Sequence, residues 1–179
     1  MNCLEDLVRE VILCKKCDLW SMGTRAVPGV GPANSPIMIV GEAPGANEEE
    51  AGRPFVGRGG KLLRNTLTKF GIKNPYITNV VKHRPPKNRK PKKEEITMCS
   101  EFLEYEINAV NPRVILALGR TAIEYFGIMS RLSEANGKVF VVKGRKVIAC
   151  YHPAAVLRNI NLTDEFNRAI EQAKIALTV

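Results

Sequence analysis

Apolar positions along the chain alternate between two periods. Leu4, Leu7, Val8, Val11 and Ile12 recur at helical spacing and lead into Cys14-Lys-Lys-Cys17. Pro36 to Val40 is a short unbroken apolar run that stops at Gly41 and predicts a buried strand. From Gly60 to Phe70 the helical period returns, with Leu62, Leu63 and Leu67 on one face and Gly71 just past the end. Tyr76 to Val81 predicts a second strand, Lys93 to Val110 a helix, and Arg113 to Leu118 a third strand, closed by Gly119 before a short helix. Val139–Val142 and Lys146–Cys150 flank Lys143-Gly144-Arg145, as a hairpin or a tight connection. A last helix covers Thr163 to Leu177.

Strands alternating with helices predict one α/β domain over residues 1–179 with a mainly parallel sheet. In such sheets ligands gather outside the carboxyl ends of the strands. The first strand delivers Gly41-Glu42-Ala43-Pro44-Gly45 there, the second Asn79, the third Gly119-Arg120-Thr121 and the last Tyr151-His152-Pro153. Small residues, an amide, an imidazole and a carboxylate on one rim predict a pocket for a small polar object.

Composition adds the sign of the surface. The 179 residues carry 27 Lys+Arg against 18 Asp+Glu, a formal net charge of +9, within an otherwise ordinary globular composition. Such a surface attracts polyanions, nucleic acid being the commonest; a merely basic protein is the bland alternative. Met1 to Glu10 is charged and unlike a signal peptide, and no run approaches the roughly 20 apolar residues that span a bilayer. The expectation is a cytoplasmic protein with no membrane partner, whose five cysteines are metal ligands or buried thiols rather than disulfides.

Three segments, GEAPGANEEEAGRPFVG (41–57), ITNVVKHRPPKNRKP (77–91) and HPAAVLRN (152–159), closely resemble the signature segments of the family 4, iron–sulfur uracil-DNA glycosylases. Order and spacing match from Cys14 to about Asn159. The resemblance implies a three-layer α/β/α domain around a mainly parallel four-stranded sheet. It implies hydrolysis of the N-glycosidic bond of deoxyuridine in DNA, the first step of base excision repair. A glycosylase must turn its target base out of the stack and read it in a pocket. Gly41 and Ala43 would line that pocket. Phe55 would stack on the base, its alternative being a core aromatic. Asn79 can present an amide oxygen to uracil N3–H and an N–H to O4. Cytosine reverses both polarities, so such a site discriminates by as much as roughly 10⁴-fold. The alternative for Asn79 is a turn cap. His152 is the candidate donor to O2 of the leaving uracil. Glu42 or the backbone beside it would orient the water, with Glu48 a second candidate; acidic residues near Gly-rich loops also serve as caps.

Cys14 and Cys17 form a Cys-x-x-Cys pair. In the family pattern two further cysteines complete the set; Cys99 fills the fourth place, and His83 stands at the third. The resemblance therefore implies a 4Fe–4S cluster with one imidazole ligand. Zinc on a Cys₃His set is the alternative metal, and Cys150 an alternative ligand whose other fate is a buried strand thiol. The basic loop carrying Arg84, Lys87 and Arg89 reads as a phosphate-contacting arm or a solvated face. Leu157 would wedge into the gap left by the turned-out base, with Arg158 on a neighbouring phosphate; ordinary helix burial is the alternative for Leu157. The implied partner is uracil-containing DNA, single- or double-stranded, with a sliding clamp as a further candidate and the chain itself a monomer. A catalytically silent, metal-scaffolded DNA-binding module and a covalent uracil-trapping protein are the competing readings.

Overall fold

Burial of the apolar runs on both faces of one sheet builds the structure. The computed structural model describes residues 3–22 and 25–178. Among these residues the chain runs α1 (Leu4–Ile12), β1 (Ile37–Gly41), α2 (Ala46–Ala51), α3 (Arg58–Lys69), β2 (Tyr76–Asn79) and α4 (Lys93–Val110). It continues β3 (Val114–Leu118), α5 (Arg120–Tyr125), α6 (Leu132–Ala135), β4 (Val139–Val142), β5 (Arg145–Cys150), α7 (Pro153–Arg158) and α8 (Thr163–Thr178). The strand order is β2-β1-β3-β5-β4, parallel except for β4, which pairs antiparallel with β5. The expected four strands are thus five. The Lys143-Gly144 connection is a true hairpin turn, with φ of 47° and 76° at its two residues, and it adds an edge strand.

Side chains alternate across the sheet, as a period of two requires. Met38, Val40, Ile115, Ala117, Val147 and Ala149 face a core shared with Leu7 of α1 and Phe102, Leu103 and Ile107 of α4. Ile37, Ile39, Val114, Leu116, Ile148 and Cys150 face the opposite core, with Leu63 and Leu67 of α3 and Phe166, Ala169 and Ile170 of α8. Three layers result. β1 feeds α3 on one face and β3 feeds α5 on the other, so the chain parts in opposite directions at adjacent strand ends. A crevice opens there.

The α3 N-terminus packs tightly against the segment before it. A Cβ at Gly60 would stand 2.0 Å from the Phe55 carbonyl oxygen and 2.1 Å from its carbon, both backbone atoms that cannot move aside. Gly60→Ala is expected to destabilise the protein by about 3 kcal/mol through overpacking, read from urea unfolding. An unchanged midpoint would show that this contact does not constrain the fold.

Candidate active site

The crevice holds a cavity of about 590 Å³ whose walls include Glu42, Ala43, Phe55, Asn79, Gly119 and His152. Three of these arrive from separate strand ends. Gly41 is their meeting point: a Cβ there would fall 2.4 Å from Asn79 Oδ1 and 2.5 Å from Phe55 Cζ. Only glycine lets the amide and the ring close over the end of β1.

Phe55 carries a left-handed φ of 53°, a strained conformation for a bulky residue. The Arg64 guanidinium holds it there, donating to the Phe55 and Pro54 carbonyls at 3.2 Å each. The Phe55 ring lies 5.7 Å from the His152 ring at an interplanar angle of 34°.

Asn79 ends β2 and is only 2% exposed. Its Oδ1 is buried without a hydrogen-bond partner among the described residues. An orphaned acceptor inside a polar cavity calls for a donor from a ligand.

His152 caps α7: its Nδ1 accepts from Ala154 N–H at 3.2 Å, ahead of Pro153 at the first helical position. The neutral imidazole then carries its proton on Nε2. The cavity mouth leaves part of the ring accessible, yet the surrounding protein pushes its pKa down to about 4. Burial is the main cause, the Arg158 charge adds to it, and Glu48 opposes it.

The two carboxylates differ. Glu48 accepts from Gly45 N–H at 3.2 Å, Val56 N–H at 2.9 Å and Gly57 N–H at 2.8 Å. It staples the loop from 45 to 57 and caps α2, which turns it from a candidate base into a holder of the cavity wall. Glu42 accepts from the Thr121 hydroxyl across the crevice, joining the ends of β1 and β3.

The basic residues divide as well. Arg84 pairs with Glu49 at 3.1 Å and donates to Asn88 at 2.7 Å. Arg89 makes a bidentate pair with Glu95 at 2.6 and 2.9 Å, while Glu95 also caps α4 at Lys92 N–H. Both are tied into the protein rather than held out as a free arm, and Arg89 still lines the cavity. Lys87 is exposed. Arg158 lines the cavity, and Leu157 beside it is 43% exposed. Arg120, delivered to the rim by the third strand as expected, lines the cavity; sequence reasoning missed Arg58, which lines it too, and the buried Lys82 and Glu106 beneath Asn79. Glu106 was visible as a carboxylate on the apolar stripe of α4, beside Leu103, Ile107 and Val110.

On the α4 side, Cys14, Cys17 and Cys99 adjoin one apolar cluster. Burial raises the Cys17 thiol and pushes Cys99 up to about 11; Cys14 raises both, and Cys17 adds to Cys99. Three neighbouring half-buried or buried thiols suit a thiophilic metal, whose charge would offset thiolates that burial disfavours. Lys82 N–H donates to Cys99 Sγ at 3.3 Å, a hydrogen bond that suits a ligating sulfur. His83 is buried, with its pKa lowered by that burial, and its neighbouring charge is Glu49. Among the described residues no three His, Cys, Asp or Glu side chains close around a metal ion as they stand. Cys150 lies in the opposite core as a fully buried strand thiol, away from this trio.

A mainly parallel sheet with a polar crevice at its switch point defines the class: an α/β protein with a ligand site outside its strand ends. The uracil DNA glycosylase superfamily matches residues 28–174, and the chain belongs to it. It is 45% identical over 177 residues to a type-4 uracil-DNA glycosylase of Archaeoglobus fulgidus, covering 93% of this chain and 89% of that one. To the type-4 enzyme of Sulfurisphaera tokodaii it is 47% identical, with 90% and 79% covered. A type-5 uracil-DNA glycosylase of Pyrobaculum aerophilum is 31% identical, with 88% and 84% covered.

The lowered pKa of His152 has a measurable consequence. Nitrogen-15 NMR should find its ring neutral, protonated at Nε2, down to about pH 5. Because the folded pKa lies below the ordinary 6.5, stability is complete above that pH and falls as pH drops toward 4. A ring that titrates near 6.5 would refute this environment.

Proposed function

We propose that the protein excises uracil from DNA by turning the nucleotide out of the stack and hydrolysing its glycosidic bond. The observation that carries this reading is the orphaned Asn79 Oδ1, held beside Phe55 over Gly41. Uracil N3–H supplies the missing donor, and the Asn79 amide N–H reaches O4. Cytosine brings an acceptor at its N3 and an amine at position 4, so both contacts fail. Phe55 supplies the stacking face, a contribution of about 1–3 kcal/mol.

In the reaction the C1′–N1 bond breaks, its electron pair passes to the uracil ring, and water adds to C1′ and gives up one proton, which the uracil anion takes up on release. Negative charge develops on O2 of the leaving uracil. His152 donates to that oxygen from Nε2 as a neutral imidazole, stabilising the charge without having to hold a second proton. Glu42, anchored by Thr121, and the backbone at Gly41 to Ala43 orient the water. The leaving group is already acidic, so a strong base is unnecessary. Leu157 enters the gap left in the stack, and Arg158 and Lys87 meet phosphates on either side.

Cys14, Cys17, His83 and Cys99 are the residues we assign to a 4Fe–4S cluster. Bound there, the cluster supplies cross-linking that ties the segment after α1 to the β2–α4 loop. Zinc is the alternative occupant. The free thiols suit a reducing, cytoplasmic setting.

Uracil-containing DNA incubated with the protein and treated with alkali should break at uracil. Asn79→Ala should lower the excision rate at least ~100-fold and leave DNA affinity nearly intact. Unaltered excision by that variant would remove Asn79 from the pocket. A shifted band surviving denaturation would point instead to covalent trapping.

Metal content gives a separate test. Aerobically purified protein is expected to be brown, with broad visible absorption and about four irons per chain. Colourless protein holding one zinc would overturn the iron–sulfur assignment.

A further inference from the structure

Lys82 is fully buried, yet its ammonium has a complete set of acceptors. Nζ donates to Thr78 Oγ1 at 2.6 Å, to Glu106 Oε2 at 2.7 Å and to the main-chain carbonyl of Asn79 at 3.0 Å. Three donors meet three acceptors, with none left over. Glu106 is itself enclosed, accepting from Gly29 N–H at 3.2 Å, Tyr76 OH at 3.3 Å and Thr78 OH at 2.8 Å.

The reason for a charge at this depth lies in β2. It is the outer strand of the sheet, with β1 on one side. On the other side Ile77 exchanges both backbone hydrogen bonds with Val30, at 2.8 and 2.9 Å. Val80 N–H turns back to Gly41 at 2.9 Å. The alternation between them points the Asn79 carbonyl outward, past the reach of that single bridge. Among the described residues no strand receives it there; the Lys82 ammonium does. The residue expected to read uracil is thereby fixed through its own backbone.

A buried ion pair that served stability alone could be replaced by neutral groups at little cost. We propose that Lys82, held by Glu106, is a positioning residue for uracil recognition: its ammonium anchors the Asn79 carbonyl and so sets the height and angle of the Asn79 amide against the base. This rests on the reading of Asn79 as the uracil-contacting residue. The ion pair itself touches no substrate, so it belongs to the support of the site.

The test separates stability from grip. Lys82→Met alone would strand the Glu106 carboxylate, so the informative variant is Lys82→Met with Glu106→Gln, which removes both charges and keeps an acceptor for Gly29 and Tyr76. Thermal unfolding, inhibition by free uracil, kcat on uracil-containing DNA and DNA affinity are measured per folded chain. The expected result is a melting temperature near that of the native protein, DNA affinity unchanged, and uracil inhibition and kcat each weakened ~10- to 100-fold, the scale of a misplaced contact group. A folded double variant with native uracil inhibition and kcat overturns the proposal. Thr78→Val, a smaller change in the same network, should weaken uracil inhibition about 3-fold, and native inhibition in that variant also counts against it. Asn79→Ala runs alongside. If it loses uracil inhibition while both network variants keep it, only the positioning role fails. If Asn79→Ala still binds free uracil normally, the pocket reading itself fails.

Discussion

The residues of this site sit on separate loops, and what brings them together is the backbone ladder of the parallel sheet. Gly41 lies opposite Asn79 in the β1–β2 register. The ladder continues past the strand ends, with Val81 N–H on Glu42 at 3.1 Å and Gly119 N–H on Cys150 at 2.8 Å. Four strands therefore stop along one line. A slip of one residue between β1 and β2 would turn Asn79 to the other face of the sheet and bring Val80 beside Gly41. The pocket is a consequence of register before it is a consequence of any side chain.

Electrostatics then leaves one demand unmet. Glu48 is occupied by three amides, His152 is neutral with its proton directed away from its own helix, and the Asn79 carbonyl is taken by Lys82. Asn79 Oδ1 is left with nothing. A buried acceptor left without any donor costs about 1–3 kcal/mol. On the proposed reading, a base with a matching N–H would meet that demand and a base of opposite polarity would not. On the function proposed above, the same atom would serve both affinity and discrimination.

Much of this was legible in the chain. The helix over 93–110 and the start of α1 follow directly from apolar periodicity, and the strand ends that carry Gly41, Asn79 and His152 follow from where apolar runs stop. The count of four strands came from the family resemblance, whereas Val139 to Val142, a half-exposed edge strand, was legible only as one arm of a hairpin or tight connection. α2 and α7 escaped notice because six residues, with Gly or Pro at their start, give no period to detect. The pairing of charges was hidden for another reason. Arg84 with Glu49 and Lys82 with Glu106 are partners 35 and 24 positions apart, and only the fold makes them neighbours. A dense basic run therefore read as a free arm when several of its members are walls.

That redistribution of charge sharpens the mouth of the cavity. Arg84, Arg89 and Lys90 are each matched by a carboxylate, Glu49, Glu95 and Glu124. Arg58 and Arg158, by contrast, line the cavity with no carboxylate partner among the described residues. Uncompensated positive charge therefore stands at the cavity mouth as well as on Lys87, Lys92 and Lys93 of the loop, which are exposed with no carboxylate partner among the described residues. α7 links this to the chemistry, since its six residues follow directly on the N-cap His152 and end on Leu157 and Arg158. On the function proposed above, seating Leu157 in a base stack and Arg158 on a phosphate would also place the His152 ring, aligning the group proposed to stabilise the leaving base through contacts at the other end of the helix.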